Sequence, residues 1–167
     1  KEKIYGVYEQ SINDSLDVNG FEMIVSYDTE VKHNNYGPHP LSYFPVFFVN
    51  STNKSKLFLG KDNYIFGIQE GKSREKYNNW RPIESRGYDF CGNGHWGLEV
   101  KPNEFLLFLM RRYEGDFETE LRVRVRNGES TYVSKPFKGT INEKQFEIRE
   151  GSHLQRRLKK AKLMADS

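Results

Sequence analysis

Apolar and polar residues alternate with period two over several short stretches of the chain, and clusters of Gly, Asn, Pro and Ser separate them. That is the pattern of an all-β protein. Phe21, Met23, Val25 and Tyr27 alternate with Glu22, Ser26 and Asp28, which predicts a half-buried strand. Further strands are predicted over Tyr43–Asn50, Lys56–Leu59, Tyr64–Glu70, Trp80–Ser85, Glu104–Arg112, Phe117–Arg126 and Thr131–Phe137, with Ile4–Tyr8 as an edge strand. Asn127-Gly128 predicts a two-residue hairpin turn, since both residues tolerate positive φ. The segment Val31–Pro40 is a loop by composition, and Arg86–Gly97, rich in glycine and aromatics, carries no readable period. The total is about eight or nine antiparallel strands, spaced as a β-sandwich rather than a βαβ array.

Helical period enters only at the end. Ser152 can cap a helix whose Leu154, Leu158 and Ala161 form a narrow apolar stripe under Arg and Lys. Asn142–Gln145 can form a single turn before it. The expected organisation is therefore an N-terminal arm over 1–20, a sandwich domain over 21–150 and a short basic amphipathic helix or tail over 151–167.

Two predicted strands lack a polar face. Phe105-Leu106-Leu107-Phe108-Leu109-Met110 does not alternate, and Phe44, Val46 and Phe48 oppose Phe47 and Val49 in the same way. Such a strand needs cover on both sides. If the two are neighbours, one face fills the core and the other makes an apolar patch, to be covered by the chain's own ends or by another protein. The expected partner-binding set is Phe44, Val46, Phe48, Leu106, Phe108 and Met110, with the opposite parity as core. By contrast, Phe117, Leu121, Val123 and Val125 face away from Glu118, Glu120, Arg122, Arg124 and Arg126, so that strand has a solvated face.

Composition narrows the classes. The 167 residues are 36% apolar and 29% charged, which is globular and water-compatible. No run reaches the ~18 apolar residues of a membrane helix. The formal charge of +3 is uneven: residues 151–167 hold five basic residues against Asp166, a net +4, so the other 150 carry −1. A specific nucleic-acid binder spreads positive charge over a face of its fold, which this chain does not. Arg156, Arg157, Lys159 and Lys160 can meet an anionic surface or remain solvated. The single Cys91 excludes an internal disulfide framework.

Lys101-Pro102-Asn103-Glu104 before an apolar strand, Gly115-Asp116-Phe117 opening an alternating one, and the hairpin to Tyr132-Val133-Ser134 resemble the last strands of Ig-like sandwich domains. Such domains occur in bacterial envelope proteins and lipoproteins, where the turn is often Pro-Gly-Glu and the strand opens Gly-x-Tyr or Gly-x-Phe. Trp80-Arg81-Pro82-Ile83-Glu84 and Cys91-Gly92-Asn93 look like an insertion before that turn. The resemblance covers Phe21–Phe137 and departs from antibody-type domains in lacking the cysteine pair. It implies an Ig-like fold and a non-enzymatic protein-binding role, with no cofactor. The setting it implies is that of an accessory subunit of an extracytoplasmic assembly, in the periplasm or at the outer membrane. In that strand order Tyr43–Asn50 is second and Glu104–Arg112 fifth, and the two pair.

Candidate chemistry is sparse. Cys91 and His95 have thiol–base spacing but no third orienting group, so a hydrolase reading is not supported. His33, His39 and His95 make a metal site only if the fold brings them together. Glu84 and Asp89 have no spacing that sets a glycosidase geometry. Trp80, Tyr88 and Trp96 can alternatively stack on sugar rings, with Asn78, Asn79, Asp89 and Asn93 as polar neighbours, or plug a mini-core under a long loop. Three sequons begin at Asn13, Asn50 and Asn53 and matter only on a eukaryotic secretory route.

Overall fold

The computed structural model describes residues 15–34, 39–62, 64–74, 80–84 and 94–147. The expected edge strand at Ile4–Tyr8, the tail helix with Arg156, Arg157, Lys159 and Lys160, Tyr88 and Cys91 lie outside these. The described chain is antiparallel β-structure throughout, apart from one 3-10 turn and an isolated parallel bridge. It divides into two compact units.

The first unit comprises Lys1–Gly67, Cys91–Arg112 and Arg124–Ser134. Its main sheet is built on β3 (Leu41–Val49). On one side β3 takes β1 (Glu22–Val25) against its second half and β2 (Val31–His33) against its first. Pro45 explains the break between them. It sits in the middle of β3 and its carbonyl accepts from the Ser26 N–H (3.0 Å). Its missing N–H faces the same side, so β1 ends there, and the turn from Ser26 to Thr29 carries the chain past the gap. The stretch expected to be all loop thus contains a short strand, β2.

A smaller sheet pairs β4 (Lys56–Lys61) with β5 (Tyr64–Ile65) and with β8 (His95–Val100). Strand β8 falls in the segment whose period could not be read. The two sheets meet at aromatic rings: Phe48 of β3 lies 5.2 Å from Phe58 of β4, 5.8 Å from Phe21 and 5.0 Å from Tyr132. Edge-to-face rings at these spacings add to burial.

Two fully buried asparagines tie this unit together. The Asn50 side chain donates to the Lys54 and Val100 carbonyls (both 2.8 Å) and accepts from the Thr52 N–H and hydroxyl (3.1 and 2.6 Å). The sequon that begins there is therefore occupied by internal bonding. Asn127 donates to the Leu57 and Val18 carbonyls (2.9 and 3.1 Å) and accepts from the Leu59 N–H (2.8 Å). The hairpin expected at Asn127-Gly128 is present but shifted by one residue. Strand β10 (Phe117–Asn127) and β11 (Ser130–Val133) pair Asn127 with Ser130, so the turn is Gly128-Glu129, and Gly128 alone takes positive φ (58°).

The N-terminal arm becomes part of the fold by residue 17. Asp17 bridges to Lys56 by backbone and by a 3.0 Å ion pair, and Tyr132 donates to the Val18 carbonyl (2.8 Å). Hydrogen bonding to Asn19 and the Lys56 ammonium hold the Asp17 carboxyl below its ordinary range. Burial pushes the Tyr132 hydroxyl up.

The second unit comprises Ile68–Phe90, Tyr113–Val123 and Lys135–Ser167. The predicted strand over Tyr64–Glu70 is broken at Phe66, and β6 (Gly67–Lys72) pairs with β7 (Trp80–Pro82). Pro136 breaks the stretch read as one strand over Thr131–Phe137. A separate strand, β12 (Phe137–Ile141), pairs with the first half of β10. The expected single turn is a 3-10 turn over Glu143–Phe146, capped by Asn142 with Gln145 reaching back.

Candidate functional site

Strand β9 (Phe105–Arg111) pairs with β3 along its whole length, from Tyr43↔Arg111 to Val49↔Phe105. The two strands that lack a polar face are therefore neighbours, the condition on which the apolar patch depended. The turn that delivers β9 is Lys101-Pro102-Asn103-Glu104. Its Glu104 N–H reaches the Lys101 carbonyl (3.1 Å), with proline second and Asn103 at φ 64° third, the type II arrangement.

The parity is the reverse of the one expected. Phe44, Val46, Phe48 and Met110 are fully buried, and Leu106 and Phe108 are largely enclosed beside them. They form the inner face, against Phe58 and Phe21. The reason is register. Met23 of β1 sits opposite Phe48, and Glu22 opposite Val49. The alternation of β1 puts Met23 inward and Glu22 outward, and β3 follows its neighbour. The outer face carries Ile24, Phe47 and Val49 with Phe105, Leu107 and Leu109. Ile24 is 45% exposed, Phe105 57%, Leu107 54% and Leu109 37%.

Register also aligns these side chains across strands. Ile24 pairs with Phe47 and Phe47 with Leu107, one apolar row three strands wide. Phe47 and Phe105 meet edge to face at 5.7 Å in the next position. The rim is polar: Glu22 and Glu104 at one end, Arg111 and His33 at the other. Contiguous apolar surface of this kind on a folded domain marks an interaction site more often than chance exposure does.

The other expected site residues are dispersed. Trp96 lies across Gly60 of β4, where an added Cβ would overlap the indole, and donates its N–H to the Asp62 carbonyl (2.8 Å). It is half-buried, packed on Gly60 and near Phe58 within the first unit. Trp80 belongs to the second unit, under the Arg122 guanidinium at 4.3 Å. Arg122 itself pairs with the buried Glu70 at 2.7 Å. Glu84 accepts from the Gln69 N–H (3.0 Å) and the Tyr113 hydroxyl (2.8 Å), which gives this carboxylate a structural role. His95 is exposed on β8 and stacks on Phe66 at 6.2 Å. His33 packs on Tyr43. Among the described residues, no three metal-ligating side chains cluster, and no helix is long and apolar enough to cross a membrane.

Compared with protein-family models, with curated proteins and with solved structures, the chain matches none.

Proposed function

We propose that the chain is a non-enzymatic protein-interaction module that docks through the outer face of the β1–β3–β9 sheet. The observation that carries this is the aligned row Ile24–Phe47–Leu107, with Phe105 and Leu109 beside it: four of the five are exposed and Phe47 is partly buried between them, whereas most other large apolar side chains among the described residues are inside. The Ig-like sandwich reading belongs to the same proposal. Its support is the pairing of β3 with β9 and the facing sheet built on β4 and β8, as the resemblance implies. An extracytoplasmic, lipoprotein-type accessory subunit is the setting that resemblance suggests, and it rests on the resemblance alone. The basic tail is a secondary contact to an anionic surface in this reading. With Trp96 half-buried on Gly60 in the first unit and Trp80 under Arg122 in the second, no observation favours the carbohydrate alternative.

Magnitude constrains the mode of docking. Covering five half-exposed apolar side chains gains about 1 kcal/mol each. The sum, about 5 kcal/mol, only matches the low end of the ~4–15 kcal/mol that association costs. The face therefore needs a second source of affinity to hold a partner.

A photo-reactive benzoylphenylalanine placed at Leu107 tests the face itself. In cells that make the protein, it gives a discrete crosslinked species that is missing when the group replaces Thr131, an exposed residue elsewhere in the unit. The same smear from both positions contradicts the proposal.

A further inference from the structure

The second source of affinity lies on the edge of the same sheet. Among the described residues β9 pairs with β3 alone, and no strand lies against its other side. Two bonds fix the phase of the ladder: Asn50 N–H to the Glu104 carbonyl (2.9 Å) and Arg112 N–H to the Ser42 carbonyl (2.8 Å). Even-numbered residues of β9 thus point their backbone groups at β3. In an antiparallel ladder alternate residues point the opposite way. The N–H and C=O groups of Phe105, Leu107 and Leu109 therefore face outward from the sheet edge. These are the same residues whose side chains stand exposed on the outer face. Among the described residues the strand has none of the usual protections of an edge. It is seven residues long and has no proline, no bulge within its paired length and no charge before Arg111. Evenly spaced main-chain donors and acceptors are met by one kind of ligand, an extended polypeptide strand.

The charges on this strand select which one. Glu104 precedes the apolar run and Arg111-Arg112 follow it. Parallel addition of an identical strand sets like charges together. Antiparallel addition sets each acidic end against a basic end. We infer that β9 pairs antiparallel with β9 of a second copy about a two-fold axis, with Leu107 opposite the partner's Leu109 and Glu104 opposite the partner's Arg112. An interface of this kind is isologous, so each contact occurs twice. Leu107 and the partner's Leu109 exchange both backbone bonds. Phe105 lies opposite the partner's Arg111, where a guanidinium can cover the ring. Arg112 lies over the Tyr27 ring of its own chain at 4.0 Å and Glu104 accepts from its own Lys101 N–H (2.9 Å), so these two charges attract across the seam without a direct ion pair. The outcome is a sheet twice as wide, whose apolar rows run on across the seam. The inference deepens the docking proposal, since the paired edge supplies the affinity the face lacks and widens the face for a third protein.

Sedimentation of the full chain tests it. The expected result is a two-copy species at micromolar concentrations. Leu107→Pro removes an edge-facing N–H without touching a bond to β3, so it weakens self-association about thirtyfold while leaving thermal unfolding near the parent's at concentrations where both are single copies. Charge reversal reads the register. Glu104→Arg and Arg112→Glu each weaken self-association about tenfold. Mixing the two chains restores a one-to-one dimer, because both seam pairs then become opposite. A single-copy species up to roughly 100 μM, or a dimer indifferent to Leu107→Pro and to the charge reversals, overturns the inference. If the crosslink from Leu107 persists in that case, the docking proposal survives without the second copy; if the crosslink also fails, both fall.

Discussion

Asn127→Ala lowers the stability of the first unit by about 3 kcal/mol or more in urea unfolding, although the residue sits at the end of a hairpin where most substitutions are mild. The asparagine side chain is fully buried and makes three bonds, to Leu57, Leu59 and Val18. Truncation leaves three backbone groups without those bonds. A buried group stripped of its partner costs roughly 1–3 kcal/mol, more than a hydrogen bond contributes net. Asn127→Asp separates the two roles of the amide. The carboxylate still accepts from the Leu59 N–H but faces the Leu57 and Val18 carbonyls with no donor. It is expected to be at least as damaging as alanine near neutral pH and to recover partly as acid protonates it. A loss below ~1 kcal/mol for alanine means that the three bonds are replaced by water and that the end of β10 is not held to β4 as described.

Gly60→Ala is the second large effect. On β4, opposite Trp96, the methyl would overlap the indole, whose N–H is held by the Asp62 carbonyl. Neither the strand nor the ring can yield by the distance required, so the indole leaves its seat. Expelling a packed tryptophan costs about 3 kcal/mol or more. Tryptophan emission shifts to the red with the loss of stability, because Trp96 becomes wet while Trp80, in the other unit, is untouched. Unchanged emission together with unchanged unfolding contradicts the packing of β8 on β4.

The pairs of residues behind these effects also show what could be read in advance. The all-β class was legible because the alternation around Met23 and along Phe117–Arg126 is local. That β3 and β9 each need cover on two faces was legible, whereas their pairing was implied only by the strand order of the resemblance. Parity was not. A strand that is apolar on both sides carries no alternation of its own, so its inner face is set by the strand beside it. Met23↔Phe48 decides the matter, and a register between residues 25 apart is not a local quantity. Strand β8 was hidden for a related reason. Gly97 reads as a loop residue, and Trp96 reads as a ligand platform until Gly60 is known to lie beneath it. Asn127 looked like a turn residue because Asn-Gly usually is one. Here the amide does its work inside the fold and the turn moves on to Gly128-Glu129.

The proposed site inherits this logic. The candidate list drawn from the sequence named alternate residues that the fold turns inward. The correction transfers the role to Ile24, Phe47, Phe105, Leu107 and Leu109, which the fold leaves outside. Nothing in the packing of the first unit requires those five to be apolar, and this makes the claim checkable without knowing the partner.

Leu107→Lys, followed by urea unfolding of the full chain, tests that claim most directly. A docking face that takes no part in the core predicts, at a chain concentration low enough for the parent to be a single copy, an unfolding free energy within about 0.5 kcal/mol of the parent's, and loss of self-association at higher concentration. A loss of several kcal/mol would show that Leu107 is covered by the chain itself, and the docking surface would not exist.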